Sequence, residues 1–286
     1  MPEFETPEPI AITVDVFVGK VTVIASDRAD TVVDIGPSDP AKKEDVRAAQ
    51  EAQVDFAVGT LTVKGPTGWK MYVPPRAIRT PSIDVTIKAP SGSRLSGTAH
   101  LCRFLVTGEL GRCEIKTSLG DLQLEKAGPL ELASGGNITV DQVVSGASIT
   151  TSTGIVRIRQ LGGNAVVKNS NGDSIIHEVA GDLQVHAANG NITVDRPHGS
   201  VTARAANGNI RIGDASRGNL RLETSVGELE VGIHPGSAAY LDVHAKTGGV
   251  QNQMKTAGSP AAGQETVHVY ARSSVGNIVI RPATAV

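Results

Sequence analysis

The 286-residue chain has little of what marks several common classes of protein. Cysteine occurs only at Cys102 and Cys113, too few for a disulfide framework. No run of 18 uninterrupted apolar residues is present, so the sequence predicts no membrane insertion. The first residues contain neither a basic segment nor an apolar one, and the sequence therefore predicts no secretory signal. Together with reduced cysteines, this leads us to expect a cytoplasmic location.

Charge of one sign and aromatic residues are also scarce. Lys and Arg number 27 against 29 Asp and Glu, which leaves no overall basic field for nucleic acid. Aromatic residues make up 3 % of the chain, so bases have no stacking platform, and we expect no nucleic-acid binding. Acidic residues interleave with the most basic region, which comprises Arg157, Arg159, Arg204, Arg211, Arg217 and Arg221.

Glycine is abundant, with 32 residues, and its spacing is regular. Between Gly111 and Gly236, glycines followed by an x-apolar-x-apolar pattern recur at intervals close to 9 residues. The segment Asn189-Gly190-Asn191-Ile192 returns as Asn207-Gly208-Asn209-Ile210. Two kinds of half-repeat alternate, so the true unit has 18 residues and contains two strands and two turns.

The apolar residues lie two and four positions after each glycine, as Ile192 and Val194 follow Gly190. Alternate residues of a strand point to opposite faces, so these side chains share one face while their neighbours face water. A single unit buries too little apolar surface to fold alone, whereas stacked units share a core. The sequence therefore predicts an all-β fold, a parallel β-solenoid with about 18 residues and two strands per coil. The handedness expected for parallel crossovers is right.

The repeat is regular in only part of the chain. We expect residues 1–95 to form an N-terminal β region that caps the solenoid, with a short helix near 41–52. Residues 96–286 then form the regular β-solenoid, which ends in an irregular C-terminal coil. The segment 254–265 has loop composition and is predicted to project from that coil.

Several segments also carry a resemblance, in this order along the chain: "FETPEPIAITVDVFVGKVTVIASDRADTVVDIGPSDP", "DVTIKAPSGSRL", the "SxGxIxV" coils and "VGNIVIRPA". On these segments the chain resembles a bacterial domain family of unknown function, of actinobacterial type, whose members are called putative adhesins. The resemblance covers almost the whole chain. It implies a β-solenoid and an adhesin-like role.

No arrangement of reactive side chains points to catalysis. Asp141 and Asp195 fall in the same outward column but three coils apart, about 14 Å, whereas paired carboxylates in glycoside hydrolysis lie about 5–10 Å apart. No nucleophile elbow, Walker motif or dinucleotide fingerprint occurs. Cys113 occupies an inward position and is predicted to be a core residue. We therefore expect no enzyme and assign no catalytic residue.

Metal and cofactor sites are not indicated either. His177 and His186 are nine residues apart, which places them on opposite faces of a coil. The coils carry apolar residues where calcium-binding solenoids carry aspartate, so we expect neither a metal nor a cofactor. Asn171, Asn189 and Asn207 are 18 apart and should stack as a ladder at one corner, in a structural role.

The function predicted from the sequence is that of a non-catalytic scaffold or interaction module. Its expected partners are a protein or a second copy of the chain, with a glycan as a further option. Its binding residues are not identified by the sequence, which points only to an end of the solenoid or to the 254–265 loop. The alternative is a carbohydrate-active solenoid enzyme, which a groove of clustered acids and aromatics would favour.

Overall fold

The computed structural model describes residues 2–66, 80–254 and 263–283. The chain forms two compact units, Met1–Asn137 and Ile138–Val286. Each unit is built from parallel strands stacked in coils, which confirms the predicted all-β parallel β-solenoid. The predicted boundary after residue 95 stays a prediction.

The first unit contains ten strands and a helix in its described residues. They are β1 (Glu3–Glu5), β2 (Ala11–Ser26), β3 (Asp30–Pro37), α1 (Lys43–Glu51), β4 (Gln53–Ala57), β5 (Thr60–Lys64), β6 (Ile83–Pro90), β7 (Arg94–Leu110), β8 (Cys113–Leu119), β9 (Leu122–Ala127) and β10 (Leu130–Ser134).

Long strands organise this unit. β2 and β7 run parallel along most of their length, with Ala11 opposite Arg94 and Ile24 opposite Thr107. β5 pairs with the first part of β2 and β6 with its second part. Three strands at the border of these coils pair in antiparallel fashion: β1 with β3, β3 with β6 and β4 with β5. The unit therefore combines solenoid coils with an antiparallel border.

The helix α1 is held by a buried acid. The side chain of Asp45 accepts hydrogen bonds from the backbone N–H groups of Ser82 (3.0 Å) and Asp39 (3.2 Å). A buried carboxylate needs such donors, because burying a charge without partners is costly. The helix therefore lies against the strands through a satisfied polar contact.

The second unit contains the regular coils. Its strands are β11 (Ile138–Val143), β12 (Ala147–Thr153), β13 (Val156–Leu161), β14 (Ala165–Asn171), β15 (Ser174–Val179), β16 (Leu183–Asn189), β17 (Ile192–Pro197), β18 (Val201–Asn207), β19 (Ile210–Ala215), β20 (Gly218–Val226), β21 (Leu229–Ile233), β22 (Ala238–Thr247), β23 (Val250–Asn252), β24 (Thr266–Val275) and β25 (Ile278–Pro282).

The registers in this unit follow the predicted period. Ile138 lies opposite Val156, and Ala147 lies opposite Ala165, a step of 18 residues in both series. Even-numbered strands from β12 to β18 pair with one another, and odd-numbered strands from β11 to β19 do the same. Each coil therefore contributes one strand to each of two sheets.

The core lies between these two sheets. The residues two and four positions after the glycines are buried, as Ile192, Val194, Ile210 and Ile212 show with 0 % exposure. The strand alternation read from the sequence is therefore correct for these coils. Each buried aliphatic side chain contributes roughly 1.5–3 kcal/mol.

At several corners of the coils, the carbonyl group of a glycine accepts a hydrogen bond from an inward polar side chain. The Asn169 Nδ2 group donates to the carbonyl oxygens of Gly154 (3.0 Å) and Gly172 (2.9 Å). In later coils, Thr224 Oγ1 donates to the Gly208 carbonyl at 3.0 Å. Buried polar backbone groups need such partners, so the Asn and Thr in these inward positions are explained.

The last coils are not stacked in chain order. β24 lies between β20 and β22, with Leu220 and Leu241 on either side of Val269. Likewise β25 lies between β21 and β23. The coil β22–β23 is therefore the terminal coil of the stack. The coil β24–β25 comes later in the sequence but lies between β20–β21 and β22–β23 in the stack. Of the loop predicted at 254–265, residues 255–262 lie outside the described part of the chain, so its projection stays a prediction.

Candidate interaction surface

The acidic residues that the sequence places in one column do not form a pair. Asp141 lies on β11 with its Oδ1 atom 3.9 Å from Arg159 Nε. Asp195 lies on β17, with its Oδ2 atom 2.6 Å from His177 Nδ1. His186 belongs to β16 in the other sheet. The structure therefore gives each acid its own basic partner and separates the two histidines.

The cysteines are core residues. Cys102 and Cys113 are buried, with 1 % and 0 % exposure. Burial raises the pKa of each thiol to about 12, because it disfavours the charged thiolate. Thiols of this kind are poor nucleophiles at neutral pH.

The asparagines form the predicted ladder. Asn189 Nδ2 donates to Asn171 Oδ1 at 2.9 Å, and Asn207 Nδ2 donates to Asn189 Oδ1 at 3.0 Å. Asn189 thus donates to one neighbour and accepts from the next, and Asn171 Nδ2 donates to the Ser152 carbonyl oxygen at 3.2 Å. The asparagine side chains therefore form hydrogen bonds that stabilise the corner.

In the described residues, no group of three or more His, Cys, Asp or Glu side chains is arranged to hold a metal ion. We expect thermal unfolding curves recorded with and without EDTA to coincide, because apolar side chains build the core of each coil. A decrease of several degrees in Tm with the chelator would show that a bound metal stabilises the fold.

A cluster of charged and aromatic residues lies on the outer surface of the second unit. We call it the arginine–tyrosine face. It is formed by outward side chains of four adjacent strands, β18, β20, β24 and β22. Its residues are Arg204, Arg221, Glu223, Tyr270, Arg272 and Asp242.

Ion pairs connect the residues of the arginine–tyrosine face. Glu223 bridges two arginines, at 3.0 Å from Arg204 Nε and 2.7 Å from Arg221 Nε. A second pair joins Arg272 to Asp242 at 2.7 Å, and this hydrogen bond raises the pKa of the Arg272 guanidinium. Both carboxylates on the face therefore already have guanidinium partners.

Two guanidinium groups also pack against one ring. The Cζ atoms of Arg272 and Arg221 lie 4.1 Å and 4.8 Å from the centre of the Tyr270 ring. Cation–π contacts of this kind hold arginine side chains in place while parts of them stay accessible. Arg204 and Arg221 retain about half of their side-chain exposure, 47 % and 51 %.

A groove of about 610 Å³ lies beside these side chains. Arg204, Glu223 and Arg272 line it together with His186 and His244. Small residues line the rest of the groove, among them Ala187, Ala205, Ala206, Ser225 and Ser274. The face therefore combines protruding cations with a strip of short side chains.

The structure divides the basic region that the sequence indicates. Arg157, Arg159 and Arg211 lie on β13 and β19 of one sheet. Arg204 and Arg221 lie on β18 and β20 of the other sheet. Sequence reasoning missed the further members Tyr270 and Arg272, because β24 reaches β20 only through the inserted coil.

Within the described residues, no helix has the length and apolar content that crossing a membrane requires.

Comparison with known proteins gives a family match over most of the chain. The model of the family described as Toastrack DUF4097 matches residues 10–280. No curated protein matches the sequence.

Three solved structures that match the chain have low sequence identity to it. A "putative adhesin" from Parabacteroides merdae is 14 % identical, with a TM-score of 0.43, over 98 % of this chain and 94 % of that one. A "putative adhesin" from Bacteroides fragilis is 13 % identical, with a TM-score of 0.34, over 98 % and 95 %. A "putative cell adhesion protein" from Clostridium sporogenes is 12 % identical, with a TM-score of 0.22, over 98 % and 99 %.

Proposed function

The chain belongs to the Toastrack DUF4097 family, and from this premise we propose that it is a non-catalytic interaction module that binds a protein partner through the arginine–tyrosine face. The observation that carries the proposal is the convergence of Arg204, Arg221 and Arg272 on three adjacent strands beside a groove. Arginine and tyrosine are the residue types that most often dominate protein interfaces.

The scaffold suits this role because its strands hold the exposed arginine side chains in fixed positions. The arginines project from strands of a solenoid whose inward side chains are fully buried, as Leu220 and Leu222 are with 1 % and 0 % exposure. Tyr270 fixes two guanidinium groups before any partner arrives. Pre-organised side chains lose less freedom on binding, which favours affinity.

A carbohydrate-active enzyme is the alternative, and the arginine–tyrosine face does bring two acids, Glu223 and Asp242, near an aromatic residue, Tyr270. Each acid is nevertheless ion-paired: Glu223 with two arginines and Asp242 with Arg272. Glycoside hydrolysis uses one carboxyl group as a proton donor and another as a nucleophile or base. Carboxylates tied to guanidinium groups serve neither task well, which favours binding over turnover.

Charge reversal on the face is expected to abolish partner capture. We predict that the double variant Arg204→Glu/Arg272→Glu retains at most about one tenth of the protein captured from a native lysate of the source cells, a change of about 1.4 kcal/mol or more. The substitutions remove two fixed guanidinium groups. They replace them with carboxylates, which repel an acidic partner. Capture is measured by immobilising each variant and quantifying the bound proteins.

The matched control is Arg157→Glu/Arg159→Glu on β13 of the opposite sheet, where Arg159 also faces an acid, Asp141. This control should bind as the unchanged protein does, and circular dichroism should show that both double variants remain folded at the temperature of the capture experiment. Equal capture by both double variants would contradict the proposal. Glycan cleavage by the purified protein, lost on Asp141→Asn or Asp195→Asn, would instead support the enzyme.

A further inference from the structure

The groove beside the arginine–tyrosine face has two different sides, and we infer that it binds an extended peptide in which acidic and apolar residues alternate. This inference rests on the proposed function and names the class of partner. It follows from the charge on one side, the apolar character of the other and the length between its ends.

The first side of the groove carries the charge. His186, Arg204, Glu223, Arg272 and His244 lie opposite one another in a row that crosses five adjacent strands. The row contains two arginines and one glutamate, and Lys246 lines the groove as a further cation. This side therefore favours carboxylates.

The second side of the groove, which Ser225 and Ser274 line, adjoins a corner ridge. The ridge is formed by Asn207, Val226, Val275 and Thr247, which lie opposite one another on β18, β20, β24 and β22. Val226 and Val275 directly follow Ser225 and Ser274, which line the groove. They are 50 % and 49 % exposed, although earlier coils carry asparagine in the same column. A change from asparagine to exposed valine creates an apolar strip beside the cationic row.

The length of the groove sets the size of the ligand. Five strands have four spacings of about 4.8 Å, so the row is about 19 Å long. An extended peptide advances about 3.3 Å per residue, so about six residues span this length. Its side chains alternate between opposite sides, which directs acidic residues to the arginines and apolar residues to the valines.

Other linear polyanions match the groove less well. Glycans and single-stranded nucleic acids use free aromatic rings for stacking. Here Arg221 and Arg272 pack against the ring of Tyr270, so it offers little surface to a sugar or a base. Neither ligand repeats an apolar side group between its anions, whereas a peptide does.

The test uses fluorescein-labelled peptides and fluorescence anisotropy. The probe contains three Glu-Val pairs between terminal glycines. Two matched probes contain three Glu-Gly pairs or three Ser-Val pairs. We expect the Glu-Val probe to bind at least about tenfold more tightly than either, because only this probe fits both sides. Equal binding of the Glu-Gly probe would overturn the inference, since the valines would then contribute nothing.

Variants separate the two sides. Val226→Asn/Val275→Asn extends the asparagine column of the preceding coils, so its Tm should remain close to that of the unchanged protein. Both this variant and Arg204→Gln/Arg272→Gln should lose at least about tenfold in affinity for the Glu-Val probe. Arg157→Gln on the opposite sheet should bind normally. Unchanged binding in either double variant would contradict the inference.

Polygalacturonate and oligothymidylate are tested as competitors. Displacement of the probe at lower concentration than an unlabelled Glu-Val peptide requires would overturn the peptide assignment in favour of a glycan or a nucleic acid. Failure is also distinguishable between the two proposals. Arginine-dependent capture from the lysate without Glu-Val binding contradicts only this inference, whereas loss of both contradicts the interaction module as well.

Discussion

Ile192→Asp is expected to prevent stable folding of the second unit, whereas Thr193→Asp should unfold at nearly the temperature of the unchanged protein. Ile192 has 0 % exposure and lies in the core column between Ser174 and Ile210. A carboxylate there has no partner, and burial of an unpaired charge costs several kcal/mol, a large share of the roughly 5–15 kcal/mol that stabilises a typical domain. Thr193 is the next residue and points to the opposite side of the strand.

The pair forms its own control, because both variants add the same charge to one strand. Urea unfolding followed by circular dichroism gives the free energy of unfolding of each. We expect Thr193→Asp to change it by less than about 1 kcal/mol. Equal losses in the two variants would mean that the inward and outward positions are assigned wrongly.

Gly190→Ala is expected to destabilise the protein by at least about 3 kcal/mol. Gly190 has a φ of +139°, a conformation that other residues rarely adopt. A Cβ atom there would lie 2.1 Å from the carbonyl oxygen of Gly172, which belongs to the corner of the preceding coil. The backbone atom cannot move away without disturbing the stack, so the cost combines local strain with steric overlap.

Gly249→Ala is the matched control. A Cβ atom at Gly249 would approach only the Asn277 side chain, at 3.6 Å, an ordinary contact. We expect its free energy of unfolding to stay within about 0.5 kcal/mol of the unchanged protein. A similar loss at both glycines would show that the corner column does not depend on close approach between coils.

The sequence determines the regular coils because two signals coincide there. The interval between glycines gives the position of each corner, and the alternation of residues such as Ile210 and Ile212 gives the buried face. A shift by one residue would expose the entire apolar set, so only one register is compatible with a core. These signals therefore predict both the fold and the inward residues.

The order of the last coils could not be read in the same way. The strands β22 and β24 show the same alternation, and alternation says nothing about which strand has neighbours on both sides. The difference appears only in the structure: Val267 and Val269 of β24 are buried between two neighbouring strands, whereas Leu241 and Val243 of the terminal strand β22 are only half-buried.

The candidate surface was missed for the same reason. Arg221 and Tyr270 are far apart in the sequence and become neighbours only because β24 pairs with β20. Composition correctly shows how few aromatic residues the chain has, but not that Tyr270 packs against Arg221 of the neighbouring strand and Arg272 of its own strand. Pairing between strands distant in the sequence thus determines the arginine–tyrosine face. The local alternation of apolar and polar residues determines the solenoid that carries it.

The inserted coil also constrains how the chain is completed during synthesis. Residues 238–252 leave the ribosome before residues 266–282, although the later segment separates the earlier one from β20 and β21. Coils that follow chain order can be added singly, since each finds its neighbour already folded. Here the β22–β23 segment has no final partner until β24–β25 has been made, and the loop closure that joins them comes late. We therefore expect the β22–β23 coil to take its final place only after β24–β25 has been synthesised.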